Sequence, residues 1–137
     1  MKLYQAGPLF TQAEKAFNVE LCTQLRRDGH EVFLPQEYEQ ALDPGYPPKI
    51  FRTDLGGLDW SEALIAVLEG SDVDSGSAWE CGYAYAKRKP VFGLRTDFRK
   101  FGPEEKCNLM IQECCVKICE SVSELLDMIR EFARSAR

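Results

Sequence analysis

Six consecutive apolar residues, Ala63-Leu64-Ile65-Ala66-Val67-Leu68, constrain the fold more than any other feature of the sequence. A strand with one wet face alternates apolar and polar side chains, whereas a strand covered on both faces does not. The run is far too short to cross a bilayer, which takes about twenty apolar residues. It therefore reads as the central strand of a parallel sheet with helices above and below. The rest of the chain supplies the other layers. Lys2–Ala6 is a short strand ending at Gly7-Pro8, and Thr11 opens a helix with Ala13, Phe17, Leu21 and Leu25 on one face, closing at Gly29. Strands follow at Glu31–Leu34, Pro90–Leu94 and Cys114–Ile118, with a helix from about Gly76 to Lys87 and a closing helix carrying Val122, Leu125, Leu126, Ile129 and Phe132. The turn-rich stretch from 35 to 60 holds a short helix near Phe51 to Leu58. Alternating strands and helices predict a single α/β domain over residues 1–137. Its five-stranded, mostly parallel sheet has helices on both faces and the common order 2-1-3-4-5.

Composition narrows the function classes. Hydrophobic residues make up 45% and charged residues 28%, the balance of an ordinary globular domain. Asp and Glu number 22 against 17 Lys and Arg, a net charge of −5 that disfavours nucleic acid as a partner. Met1-Lys2 leads straight into a strand-like run and no span is long enough for a membrane, so a cytoplasmic protein is expected. Among the six cysteines there is no C-x-x-C pair, and His30 is the single histidine. Free thiols behaving as small apolar residues are expected, with no metal and no cofactor.

A site can be placed by topology. Ligands of open α/β sheets sit beyond the carboxyl ends of the strands where strand order reverses, here between the first and third strands. The loops leaving those strands are Ala6–Phe10 and Glu69–Gly76. From Asp54 to Glu80 the chain has seven acids (Asp54, Asp59, Glu62, Glu69, Asp72, Asp74, Glu80) and no base, so a phosphate would meet like charge there. Pro8 lacks an N–H for a phosphate nest, and neither G-x-G-x-x-G nor a P-loop lysine is present. The bases from Lys87 to Lys100, Arg95 among them, read as a solvated face.

Glu80 admits two readings. It stands near the start of a helix, whose dipole would keep the carboxylate ionised near neutral pH for catalysis. Alternatively Ser77-x-x-Glu80 is a capping box, like Thr11-x-x-Glu14 and Ser121-x-x-Glu124. Carboxylates sharing a cleft, such as Glu80 with Asp72 and Asp74, can be driven apart in pKa. One then stays anionic as nucleophile while another donates a proton, the division that retaining glycosidic cleavage requires. Phe17, Phe33, Trp79, Phe92 and Phe132 are expected in the core, and Tyr83 and Tyr85 at the sheet or a subunit contact.

Three segments together resemble the nucleoside 2-deoxyribosyltransferase family: Tyr4-x-Ala6-Gly7-Pro8-Leu9-Phe10, Asp72-x-Asp74-Ser75-Gly76-x-x-x-Glu80-x-Gly82-Tyr83-Ala84, and Asn108-Leu109-Met110. The resemblance implies a flavodoxin-like sheet. It also implies exchange of the base of 2'-deoxyribonucleosides through a covalent deoxyribosyl-enzyme ester, in nucleoside salvage. By motif, Glu80 would be the nucleophile, Tyr4 would orient it, and Asp74 would bind the base and help protonate it. Asp54 would be a second aspartate at the base, with Gly7 and Phe10 lining the substrate and Trp60 a further candidate wall. Asn108 and Met110 would reach the sugar of a neighbouring subunit, implying a homo-oligomer built from dimers, up to a hexamer. A deoxynucleoside or nucleotide N-hydrolase shares the chemistry up to the ester. A nucleoside-binding module in which Glu80 merely caps its helix is the reading of another class.

Overall fold

The computed structural model describes residues 1–38 and 42–135; the part of the 35–60 connection at 39–41 lies outside them. Among the described residues are strands β1 (Lys2–Ala6), β2 (Glu31–Phe33), β3 (Ala63–Val67), β4 (Val91–Leu94) and β5 (Lys117–Cys119). The helices are α1 (Gln12–Arg27), α2 (Tyr46–Trp60), α3 (Ser75–Ala86), α4 (Leu109–Cys114) and α5 (Val122–Ser135). Every strand pair is parallel and the order is β2-β1-β3-β4-β5. Ala6 of β1 lies beside Ala66 of β3, so the carboxyl ends of these two strands finish together at the point where the strand order reverses.

The period of two along each strand divides the interior into two cores. Leu3, Ile65 and Phe92 face α1 and α5, packing on Leu21, Leu25, Leu125 and Ile129. Tyr4, Leu64 and Ala66 face the opposite layer, where Leu58 of α2, Cys81 and Ala84 of α3 and Ile111 of α4 cover them. All of β3 is buried, which explains why its sequence does not alternate. The thiols of Cys22 and Cys119 belong to the first core and those of Cys81 and Cys107 to the second.

Two elements differ from the sequence expectation. The helix expected near Phe51 to Leu58 runs from Tyr46 to Trp60, because Pro47 and Pro48 sit in its first turn, where helical N–H groups have no partner to lose. The last strand starts at Lys117 rather than Cys114. Asn108 accepts a hydrogen bond from the Met110 N–H at 2.9 Å and starts α4, and Cys114 and Cys115 close it with thiols donating to the Ile111 carbonyl at 3.1 and 3.2 Å. Of the expected capping boxes, Thr11 and Glu14 form theirs at the start of α1.

Helix α2 seats on the sheet through one bare position. A Cβ on Gly57 would lie 2.7 Å from the Phe33 ring, and that ring is fixed in a stack between Tyr4, at 5.3 Å, and Tyr38, at 4.4 Å. Neighbouring Gly56 has open space around its Cβ direction. Gly56→Ala should therefore stabilise the protein by up to about 1 kcal/mol through helix propensity. Gly57→Ala should destabilise it by about 1–2 kcal/mol net, since overpacking against a ring that cannot move outweighs that gain. Urea denaturation of the two variants beside the parent checks both signs.

Candidate active site

The site begins with a residue of the core. Tyr4 points to the α2–α3 side of β1, fully buried and stacked on Phe33 at an interplanar angle of 10°. Its hydroxyl donates a 2.6 Å hydrogen bond to Glu80 Oε1. Glu80 arrives from α3, whose first turn decides between the two sequence readings. The N-cap of α3 is Asp74, whose Oδ2 accepts from the Ser77 N–H at 3.0 Å and from Ser77 Oγ at 3.2 Å. The Ser77–Glu80 capping box therefore does not form. With Asp74 as cap, Glu80 falls in the second turn, beyond the free N–H groups, and its side chain goes to Tyr4.

Burial sets the charge state. The Glu80 carboxyl is pushed up to about 7, first by desolvation and further by the negative charges of Asp54 and Asp74, with the Tyr4 hydrogen bond pulling the other way. This corrects the expectation that the helix dipole would hold Glu80 ionised. Placed in the second turn and withdrawn from water, it responds to desolvation more than to the dipole. Burial and the adjacent carboxylate drive the Tyr4 phenol far above its ordinary range, so it remains a donor at any working pH. Asp54 is likewise raised by burial.

Glu80 opens onto a cavity of about 500 Å³ between α2 and α3. Asp54 shares it, with Ile50, Phe51, Leu55 and Trp79 among the walls. No Lys, Arg or His lines it among the described residues. The other acids of the 54–80 stretch are engaged elsewhere. Asp59 accepts from the Tyr83 hydroxyl at 2.7 Å, Glu62 caps the Lys2 N–H at 2.6 Å, and Glu69 binds Thr96 and the Asp97 N–H. Among the described residues no cluster of His, Cys, Asp or Glu has the geometry to hold a metal ion.

The remaining sequence candidates are spread around this centre. Gly7 lies where β1 meets β3, and a Cβ there would come 2.9 Å from Val67 Cβ, so the turn leaving β1 can hug the sheet only without a side chain. Asn18 secures that turn by donating to the Pro8 carbonyl at 2.9 Å. Phe10 is 72% exposed and does not line the Glu80 cavity. Asp72 is exposed and accepts from the Val73 N–H. Asn108 and the 82% exposed Met110 line a second cavity of about 490 Å³ on the other side of α3, with Asp72 and Tyr85. Trp60, the further candidate wall, stands instead at the amino edge of the sheet with Lys2 Nζ 5.4 Å from its ring, because it closes the helix that feeds β3.

Sequence reasoning missed three cavity aromatics, Tyr46, Phe51 and Trp79. Trp79, expected in the core, is 50% exposed and faces Phe51 with ring centroids 5.8 Å apart. Its spacing from Tyr83 is that of any buried helix stripe, so only the location of α2 could have distinguished wall from core. Arg95 errs in the opposite sense. Expected on a solvated face, it is buried and donates to the Leu68 and Gly70 carbonyls, tying down the loop that leaves β3.

Comparison with known proteins places this geometry. The family model for nucleoside 2-deoxyribosyltransferases matches residues 3–126. A conserved protein from Enterococcus faecalis is 30% identical, with 94% of this chain and 96% of that one covered and a TM-score of 0.80. A 2-deoxyribosyltransferase from the psychrotolerant bacterium Bacillus psychrosaccharolyticus is 26% identical over 91% of this chain and 90% of its own, also with a TM-score of 0.80. The fold is shared, at 18% identity and a TM-score of 0.59, by a CMP N-glycosidase of Clostridium botulinum, with coverage of 93% and 97%. With the family model spanning most of its length, this chain belongs to the nucleoside 2-deoxyribosyltransferase family.

Proposed function

We propose that the protein exchanges the nucleobase of 2'-deoxyribonucleosides through a deoxyribosyl ester on Glu80. The observation that carries this reading is a carboxylate hydrogen-bonded by a buried tyrosine and opening onto a cavity that holds a second, raised carboxyl. Ionised Glu80 attacks C1' as the C1'–N bond breaks, and the departing base takes the proton of Asp54 in its protonated form, which burial favours. An incoming base returns that proton to Asp54 as its nitrogen attacks C1' and releases Glu80, so two inversions give net retention. A 2-deoxy sugar lacks the electron-withdrawing 2-hydroxyl. Its cationic transition state therefore forms more easily, and a single desolvated carboxylate can stabilise it. Asp74 spends Oδ2 on capping α3 and serves the base edge through Oδ1. Among the described residues no cationic side chain lines the cavity, which favours free nucleosides over nucleotides. Asn108 and Met110, turned away from their own Glu80, serve the sugar end of a neighbouring copy's site in a homo-oligomer, and the setting for this salvage reaction is the cytoplasm.

Mass spectrometry of protein incubated with a deoxynucleoside should find one deoxyribosyl adduct on Glu80, and Glu80→Ala should abolish it together with base exchange. An active Glu80→Ala variant refutes the reading. Free deoxyribose in place of exchanged nucleoside would instead mark an N-hydrolase.

Two pH effects follow from the raised carboxyl. Because the nucleophile must be ionised, activity should climb as pH rises through about 7. Tyr4→Phe removes the bond that favours the ionised form. It should move the rising limb to higher pH and lower kcat/KM at neutrality by about 10–100-fold, the worth of a hydrogen bond to a charged group.

Stability should run the other way. A carboxyl raised in the folded state stabilises below its unfolded pKa and loses that contribution as pH rises from 4.5 through about 7. Glu80→Gln should thus match the parent at pH 4 and exceed it at pH 8 by on the order of 2–3 kcal/mol, measured by denaturant unfolding at both values.

A further inference from the structure

We propose that Trp79, with Phe51 beside it, is the surface on which the substrate's heterocycle stacks, and that this wall gives the site a preference for the fused bases of purine nucleosides. The inference deepens the nucleoside reading above and rests on it. Trp79 and Phe51 are 50% and 53% exposed, and large aromatics left open on a soluble domain call for a reason. Both line the cavity that holds Glu80 and Asp54, and Trp79 immediately precedes Glu80 in α3. A base attached to the carbon that Glu80 attacks must lie within this cavity, against its walls.

The indole is also held ready. The Tyr83 ring stacks on it at 5.3 Å and 14°, and the Tyr83 hydroxyl is anchored by its 2.7 Å bond to Asp59. A side chain already fixed on one side loses little freedom when a second ring meets it. Ile50, Leu55 and Leu58 add aliphatic walls and Tyr46 a further ring, so the cavity offers a flat heterocycle apolar contact and the Asp54 carboxyl for its polar edge. Stacking grows with ring area, which favours a bicyclic base over a single ring. Tyr83 and Asp59, which touch no base in this scheme, are positioning residues.

The chain has two tryptophans, so Trp60→Phe leaves Trp79 as sole reporter. In that background adenine should quench tryptophan emission at concentrations about tenfold below those at which cytosine does. Trp79→Leu should raise KM for purine donors and acceptors by about tenfold, with a smaller rise for pyrimidines and kcat little changed, whereas Trp79→Phe should retain most of the preference. Unaltered emission on saturation with adenine, or equal losses for both base classes in Trp79→Leu, overturns the proposal. So does dissociation of the oligomer by Trp79→Leu without any quench in the parent background, which would make the indole a subunit contact. The Glu80 adduct, read in the same samples, tests the transferase reading separately, because quenching reports base stacking whether or not the sugar is transferred.

Discussion

The hydrogen bond from Tyr4 to Glu80 is the interaction on which the candidate site depends, for it joins the centre of the sheet to the helix that carries the proposed nucleophile. A carboxylate withdrawn from water has lost most of its solvation and normally recovers by taking up a proton. One short bond from a phenol that cannot itself ionise restrains that tendency and leaves the group divided between its two forms near neutrality. The phenol is positioned in turn by the stack of Tyr4 on Phe33 on Tyr38, and Phe33 is pressed by the bare backbone of Gly57. Orientation of the Glu80 carboxyl thus descends from packing in the second core rather than from the loops around the cavity.

The acids of the central third of the chain divide into those engaged by scaffold partners and those that face the cavity. Glu62 and Glu69 satisfy backbone N–H groups at opposite ends of β3, and Asp59 anchors an aromatic ring. Asp74 occupies a middle position, capping α3 through one oxygen while its charge raises Glu80. That leaves Asp54 and Glu80 facing the same cavity, both raised chiefly by burial. Their environments differ by the Tyr4 bond, a difference of the kind that lets two like groups take unlike roles.

Much of the fold was legible because the physical signals were local. The unbroken apolar run of β3, the Thr11 box and the periodicity of α5 each stand within one element, and the parallel order follows from their alternation. The long α2 was obscured by its own start, since Pro47 and Pro48 read as turn formers although a first helical turn tolerates them. At the site, Tyr4 and Glu80 are brought together as their motifs imply, whereas the indole at 79 and the guanidinium at 95 were misjudged in opposite directions. Their burial depends on what the next element places beside them: α2 leaves a gap over Trp79, and the loop after β3 closes over Arg95. No spacing rule within a single helix or strand encodes such neighbours.

The assignment of the surrounding acids to scaffold partners has a consequence for solution behaviour. Dissolved salt weakens attraction and repulsion between charges that water surrounds, and reaches buried groups far less. Because withdrawal from solvent dominates the state of Glu80, and no cationic side chain lines its cavity among the described residues, ionic strength has little leverage over Glu80 and Asp54. The protein's acidic exterior can therefore respond to its surroundings while the centre keeps its balance of protons.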